Sequence, residues 1–378
     1  MLIKRFLLDQ IKKHSQPGIV TLIFGPRQVG KTTLLRQYQH DIDKQVLFIN
    51  ADEKRYQDVL SSQDSKTLGN LIEDHQVLII DEAQRVENIG LNLKIMIDSF
   101  PKATILASGS ASFDLANKLS EPLTGRKTTF TLYPVSYWEI EQTFGSFEAR
   151  ANLEERLIWG SYPAIIQAKN KANRSSLLEE LVGSYLYQDI LMLDGLRRAD
   201  KIVDLLRLIA FQIGQEVNIK ELASNLSISR DTVERYLDML EKVFVVFRRN
   251  GFSRNLRKEI SKNSRWYFYD NGVRNALIQN YNALNLRNDV GQLWENYLMI
   301  ERQKYNQRLD RKANSFFWRT YDQKEIDLIE ESGGKIYGFE FKWKQGSIKT
   351  STRKDFMKAY PNSELSTITN EIFTQFVN

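Results

Sequence analysis

Residues 25 to 32 read GPRQVGKT, which satisfies the spacing G-x-x-x-x-G-K-[ST] of a loop that cradles phosphates. Each residue type has a task in that chemistry. Gly25 and Gly30 let backbone N–H groups wrap round an anion, Lys31 reaches the outer phosphate oxygens, and the Thr32 hydroxyl ligates Mg²⁺. The stretch Gly25, Pro26, Arg27, Gln28, Val29, Gly30, Lys31, Thr32 and Thr33 is the expected nucleotide contact. Two acids, Asp81 and Glu82, close the apolar run VLII. An acid at the carboxyl end of a strand is suited to the water shell of Mg²⁺, the role expected of Asp81. Glu82 points differently and is placed to take a proton from an attacking water, which hydrolysis needs and a mere nucleotide switch does not. The alternative for Glu82 is a surface acid at a strand end. Ser108 and Ser110 compete to orient water, with capping of the next helix as their other use. Arg126, in LTGRK, is a candidate to stabilise charge on a transferring phosphoryl group, in cis or in trans, against the plain reading of a solvated arginine.

These residues need elements to position them. Helical spacing over residues 3 to 15 breaks at Pro17-Gly18, and strand runs follow at IVTLIF, QVLFIN, VLIID, TILAS and KTTFTL. Their near-continuous apolar character suits a sheet buried on both faces. Five such strands with helical crossovers predict a parallel α/β domain over residues 1–132. Long helical patterns over 133–200, interrupted at Gly160-Ser161-Tyr162-Pro163, predict a helical lid or connector. Residues 201–275 read helix, short helix, tight turn, helix and an aromatic, β-rich tail. Residues 276–378 combine a helix around WENYLMIERQKY with a hairpin, EIDLIEE and KIYGFEFKW, joined by Ser332-Gly333-Gly334.

The strings GPRQVGKTTLL, VLIIDEAQ, ASGSAS, LTGR, YPVSYWEI and GSYPAI, in this order, resemble the prokaryotic AAA-superfamily ATPases that carry a conserved C-terminal domain of unknown function. The resemblance covers essentially the whole chain. It implies a P-loop NTPase sheet of order 5-1-4-3-2, a helical connector, a winged helix and a restriction-endonuclease-like α/β domain at the C-terminus. It also implies that Lys31, Thr32, Asp81 and Glu82 carry ATP binding and hydrolysis, with ATP and Mg²⁺ as cofactors.

Two further clusters stand outside the phosphate loop. Around Asn218 to Lys242, apolar positions place two helices across a short turn, so that Arg230, Asp231, Thr232 and Arg235 start the second helix, where a helix-turn-helix protein meets the major groove. The following stretch holds seven basic residues, including Arg248, Arg249, Arg254 and Arg257, against one acid, a local charge that suits phosphate contacts. Interdomain packing and a solvated basic face are the alternatives. In the C-terminal hairpin, Asp327 falls near Glu340 and Lys342, and Glu295 lies on the helix upstream. This arrangement resembles a PD-(D/E)XK nuclease site, in which carboxylates hold Mg²⁺ and the lysine orients water, although Ile326 stands where the name places proline. A half-buried hairpin with a polar outer face explains the same residues without catalysis.

Composition limits the remaining classes. With 42% hydrophobic and 26% charged residues, the 378-residue chain has the make-up of a globular protein of two or three domains. A net charge of +6 permits a nucleic-acid partner without demanding one. The absence of cysteine excludes disulfides, thiolate metal sites and cysteine nucleophiles. The opening MLIKRFLLDQIKK is charged too early for a signal peptide, and no run approaches the ~18 apolar residues of a membrane span, so the expected location is cytoplasmic. The expected function is Mg²⁺-dependent ATP hydrolysis coupled to handling of DNA or a protein, by a monomer or a homo-oligomer. An ATP-gated DNA nuclease and a non-enzymatic nucleotide switch are the other two readings.

Overall fold

A computed structural model describes residues 2–72, 74–110, 123–194, 199–253 and 264–378, and for 184–194 and 199 the backbone alone. The five runs read as strands become β1 (Val20–Phe24), β2 (Val46–Asn50), β3 (Val77–Asp81), β4 (Thr104–Gly109) and β5 (Lys127–Thr131). They form one sheet of order β2-β3-β4-β1-β5 with every pairing parallel, as the resemblance implied. The three central strands, β1, β3 and β4, are buried at every position, whereas the edge strands β2 and β5 are largely half-buried. That gradient is the mark of a sheet covered on both faces by helices. Helices Phe6–His14, Lys31–Asp41 and Ile89–Ser99 supply much of the cover through Leu7, Ile11, Leu34, Leu35, Leu93 and Met96.

The connector is helical, running through Tyr137–Phe144, Ser146–Ala151, Leu153–Trp159, Pro163–Gln167 and the long Lys171–Asp194. Its first helix is closed by a capping box: the Ser136 hydroxyl accepts from Glu139 N, and the Glu139 carboxylate accepts from Ser136 N. Its sharp break at Gly160 has φ +77°, and a Cβ there would meet Asp270 Oδ1 at 1.9 Å. Asp270 holds both sides of that junction, accepting from Ser161 N at 2.6 Å and from Val273 N at 3.2 Å.

Helices Ile219–Leu226 and Arg230–Lys242 form the expected pair, followed by the hairpin β6 (Val246–Gly251) and β7 (Arg265–Phe268). The hairpin does not end at its own module. Asn250 and Gly251 of β6 pair in parallel with Phe316 and Phe317 of β8 (Asn314–Arg319). One six-stranded sheet therefore runs β11-β10-β9-β8-β6-β7, with β9 (Glu325–Ser332), β10 (Lys335–Lys342) and β11 (Ser363–Thr369) completing it. The expected turn at Gly333-Gly334 joins β9 to β10 antiparallel, with Lys335 opposite Ser332. Strand β9 is more deeply buried than expected, because helix Val290–Arg308 covers one face of the hairpin and helix Thr350–Ala359, through Phe356, the other, while β10 stays largely half-buried. Residues Ile326 to Glu330 are accordingly all buried.

Helix Val290–Arg308 also binds the first sheet to the second. Gln307 donates to Thr131 O at 2.8 Å, Gln303 to the Tyr133 hydroxyl at 2.9 Å and Lys304 to Val135 O at 3.3 Å, while Glu301 accepts from Tyr137 N at 2.7 Å. Its opposite flank holds Glu330, which is wholly buried and accepts from Arg302 at 2.8 Å, Arg311 at 3.0 Å and Asn306 at 2.8 Å. No helix of the described residues is long and apolar enough to cross a membrane. Removing one member of a buried ion network strands its partners, so Glu330→Ala is expected to lower stability by about 3–5 kcal/mol. A urea-unfolding free energy lowered by less than about 0.5 kcal/mol would show that Arg302 and Arg311 find other acceptors.

Candidate active site

The phosphate loop leaves β1 through Gly25, where a Cβ would fall 2.2 Å from Leu132 O, so the loop passes the start of the connector at a distance only glycine allows. Gly30, at φ +101°, turns the chain into helix Lys31–Asp41. The Lys31 side chain is folded back over its own loop and donates to Gly25 O at 2.9 Å and Pro26 O at 2.8 Å. Arg5, upstream of the first helix, grips the loop from behind. Its guanidinium donates to Val29 O at 2.9 Å, to Glu139 Oε1 at 3.0 Å and to Tyr133 O.

The acids arrive from the neighbouring strands. Because β4 lies between β1 and β3, Ser108 sits beside Asp81, and its hydroxyl donates to Asp81 Oδ1. The other oxygen, Oδ2, accepts from Thr32 Oγ1 at 2.5 Å. One carboxylate thus ties the first turn of the loop helix to two strands. Glu82, at φ +55°, turns sharply away from β3, and its Oε2 accepts from Gln84 Nε2, which also reaches Ser110 Oγ at 3.3 Å. The two competing serines are therefore separated: Ser108 serves Asp81, and Ser110 serves the Gln84–Glu82 pair.

A second polar cleft, of 580 Å³, opens between the winged unit and the C-terminal sheet and is lined by Arg265, Glu295, Glu325, Asp327, Glu340 and Lys342 among others. The expected carboxylates do meet there. Phe341 N donates to Asp327 Oδ2 at 2.7 Å, Lys342 Nζ to Glu340 Oε1 at 2.8 Å and the Tyr267 hydroxyl to Glu295 Oε1 at 2.7 Å. However, the guanidinium of Arg265, nearly fully buried, lies among them, 2.7 Å from Glu325, 3.6 Å from Glu295 and 4.0 Å from Asp327. Burial, reinforced by Glu325 and Glu340, pushes the Glu295 carboxyl up to about 7. Burial together with Glu295 and Glu340 raises Asp327 well above the usual carboxylate range. Among the described residues, no group of three or more His, Asp or Glu is placed to hold a metal ion. The structure brings Glu295, Asp327 and Glu340 into one cleft, as expected, and adds Arg265 from β7 among them, a cation that no local pattern in the hairpin could disclose.

Residues 18–141 match the profile of an AAA domain. The chain carries an AAA domain. Two domains of unknown function follow, DUF8612 over residues 150–287 and DUF4143 over residues 290–374. An uncharacterized protein of Haemophilus influenzae is 25% identical over 356 residues, covering 89% of this chain and 85% of that relative. An uncharacterized protein of Mycobacterium tuberculosis is 28% identical over 334 residues, covering 87% of this chain and 71% of its own. Among solved structures, a Signal Transduction ATPase with Numerous Domains (STAND) protein with a tetratricopeptide repeat sensor, from Pyrococcus horikoshii, superposes at 12% identity and TM-score 0.32. It covers 80% of this chain, and this chain spans 45% of its length. AMPPCP-bound DnaA from Aquifex aeolicus superposes at 14% identity and TM-score 0.27, covering 62% of this chain and 84% of its own.

Within the AAA domain, Lys31, Thr32, Asp81, Glu82 and Ser108 converge at the carboxyl ends of the parallel strands. Arg126 does not. It precedes β5, at the amino end of the sheet, where it pairs with Asp98. The neighbouring strand β1 spans five residues, so roughly 16 Å of strand separates Arg126 from this chain's own phosphate loop. Two groups escaped the sequence reading. Gln84 stood in plain view beside Asp81-Glu82, whereas Arg5 lies 20 residues before Gly25 and carried no local signal.

The basic residues of the winged unit have mixed fates. Arg230 and Arg235 are exposed on helix Arg230–Lys242, but that helix carries three basic and four acidic residues, with no basic face. Arg248 pairs with Glu241 at 3.4 Å. Arg249 is turned inward, donating to Gln303 at 2.8 Å and stacking over Phe247. Arg254 and Arg257 lie outside the described residues.

The C-terminal cleft has a pH signature. Glu295 holds its proton in the fold up to about pH 7 and releases it near its ordinary value of 4.5 when unfolded. Its contribution is therefore present below pH 4.5 and lost as pH rises through 7. Glu295→Gln keeps an acceptor for Tyr267 and removes that proton, so the fall in stability between about pH 5 and 7 is expected to flatten. Urea midpoints measured across that window check this, and parallel curves for the two proteins would refute it.

Proposed function

We propose that the AAA domain binds and hydrolyses ATP in a Mg²⁺-dependent reaction. The observation that carries this reading is the junction of Thr32, Asp81 and Ser108 beside the loop closed by Lys31, with Glu82 one residue further on. The loop amides and the amino end of helix Lys31–Asp41 would receive the phosphates, and Lys31 would exchange its two loop carbonyls for phosphate oxygens. A hydroxyl and a carboxylate form a hard oxygen pair, which fits the water-rich coordination of Mg²⁺ in phosphate sites. Thr32 and Asp81 would hold the ion, which when bound offsets phosphate charge. Glu82 would take the proton of the attacking water at its carboxylate, held in orientation by Gln84 and, through it, Ser110.

The same geometry ranks the other readings. A mere switch has no use for an oriented acid next to Asp81, so Glu82 favours turnover. The inward-turned Arg249, the mixed charge of helix Arg230–Lys242 and the Arg265 guanidinium in the C-terminal cleft favour a protein partner over DNA, and ATPase work over DNA cutting. We assign the work to the cytoplasm, where ATP is abundant.

Lys31→Ala is expected to remove turnover and weaken nucleotide binding. Glu82→Gln should bind ATP within a few-fold of wild type and hydrolyse it about 10²–10⁴ times more slowly. Phosphate release and a fluorescent-nucleotide titration separate the two effects. Full turnover by Glu82→Gln would move the base to another residue, and no nucleotide uptake by the folded wild-type chain would end the ATPase reading.

A further inference from the structure

Arg5 is buried together with the group it pairs with, and neither belongs to the phosphate loop or to the acids beside it. Its three contacts fall on three different segments. Nη1 donates to Val29 O in the loop, Nη2 to Tyr133 O at the start of the connector, and Nε to Glu139 Oε1 in the connector helix. Glu139 is itself fixed: its Oε1 also accepts from Phe6 N at 3.1 Å and its Oε2 from Ser136 N at 2.8 Å. The guanidinium is therefore a rigid fork anchored outside the loop, with one tine on the loop backbone.

That tine has a consequence for the anion site. The peptide between Val29 and Gly30 is trans, so its C=O and N–H point in opposite directions. Holding Val29 O on the Arg5 side aims Gly30 N–H away from Arg5. A Cβ on Gly30 would lie 3.9 Å from Arg5 Nη1, which places a fixed positive charge directly behind the loop. Orientation of a donor and a nearby cation both favour a bound polyanion.

We propose that Arg5 is a positioning residue of the nucleotide site, which presets the Val29–Gly30 peptide for phosphate and fixes the loop to the connector through Glu139 and Tyr133. The proposal rests on the nucleotide reading above. Because the peptide is preset in every bound state, Arg5 acts on binding rather than on the chemical step, and its loss raises KM while leaving kcat almost unchanged.

The test uses the full chain and Mg²⁺ with a fluorescent ADP analogue, alongside steady-state ATP turnover. Arg5→Gln is expected to raise the dissociation constant and KM at least tenfold, with kcat within threefold of wild type. Arg5→Lys keeps the charge but cannot span three acceptors from one nitrogen, and is expected to fall within threefold of the Gln variant. Where Arg5→Gln does not fold, Glu139→Gln, which keeps one accepting oxygen, turns the other into a donating amide and removes the anionic anchor, is expected to raise the dissociation constant two- to fivefold. Glu330→Ala, destabilised far from the loop, reports what lost stability alone does and should bind as wild type. Wild-type affinity in Arg5→Lys, or in Arg5→Gln at reduced stability, would overturn the proposal while leaving the ATPase reading intact. Failure of the wild-type chain to bind the analogue would remove both.

Discussion

Concentrated negative charge can be held by a protein only where several donors converge without a side chain in the way, and this constraint organises the N-terminal half of the molecule. Two glycines give the loop its path, one by passing Leu132 O at a separation no Cβ permits and the other by turning the chain into its helix. The convergence is then completed by groups remote in sequence. Asp81 accepts two hydroxyls from different elements, and Arg5 pulls one loop carbonyl outward. A parallel sheet is what makes this economical, since strand ends from β1, β3 and β4 all open on the same edge.

The segment from Thr131 to Glu139 is the hinge of the architecture. On one side it meets Arg5 and hence the phosphate loop. On the other it is hydrogen-bonded to helix Val290–Arg308 through Glu301, Gln303, Lys304 and Gln307. That helix carries Glu295 into the C-terminal cleft and Arg302 onto Glu330, so a contiguous set of buried polar contacts runs from the nucleotide loop to the second sheet.

The C-terminal cleft shows how one distant residue alters the chemistry of a familiar constellation. Glu295, Asp327, Glu340 and Lys342 share a cleft, yet Arg265 from the winged hairpin lies among the acids. Desolvation and the neighbouring acids then raise the carboxyls of Glu295 and Asp327 above the usual range. The strand pairing that delivers Arg265, β6 against β8, joins two segments more than 60 residues apart.

Local order was legible in the chain itself. The phosphate loop, the Asp81-Glu82 pair, the five strands and the helix-turn-helix pair each have a period or spacing that neighbouring residues impose on one another, and the C-terminal hairpin declares its turn through Gly333-Gly334. Resemblance added the strand order, which periodicity does not encode. Only the tertiary structure decided that Ser108 serves Asp81, that Arg126 sits at the far end of the sheet, that Arg249 faces inward, and that Arg5 and Arg265 each add a second cation, beside Lys31 and Lys342, to the two sites. The reason is physical: a charged side chain finds its partner through the packing of segments distant in sequence, and the burial that sets the strength of the pairing exists only once those segments have met.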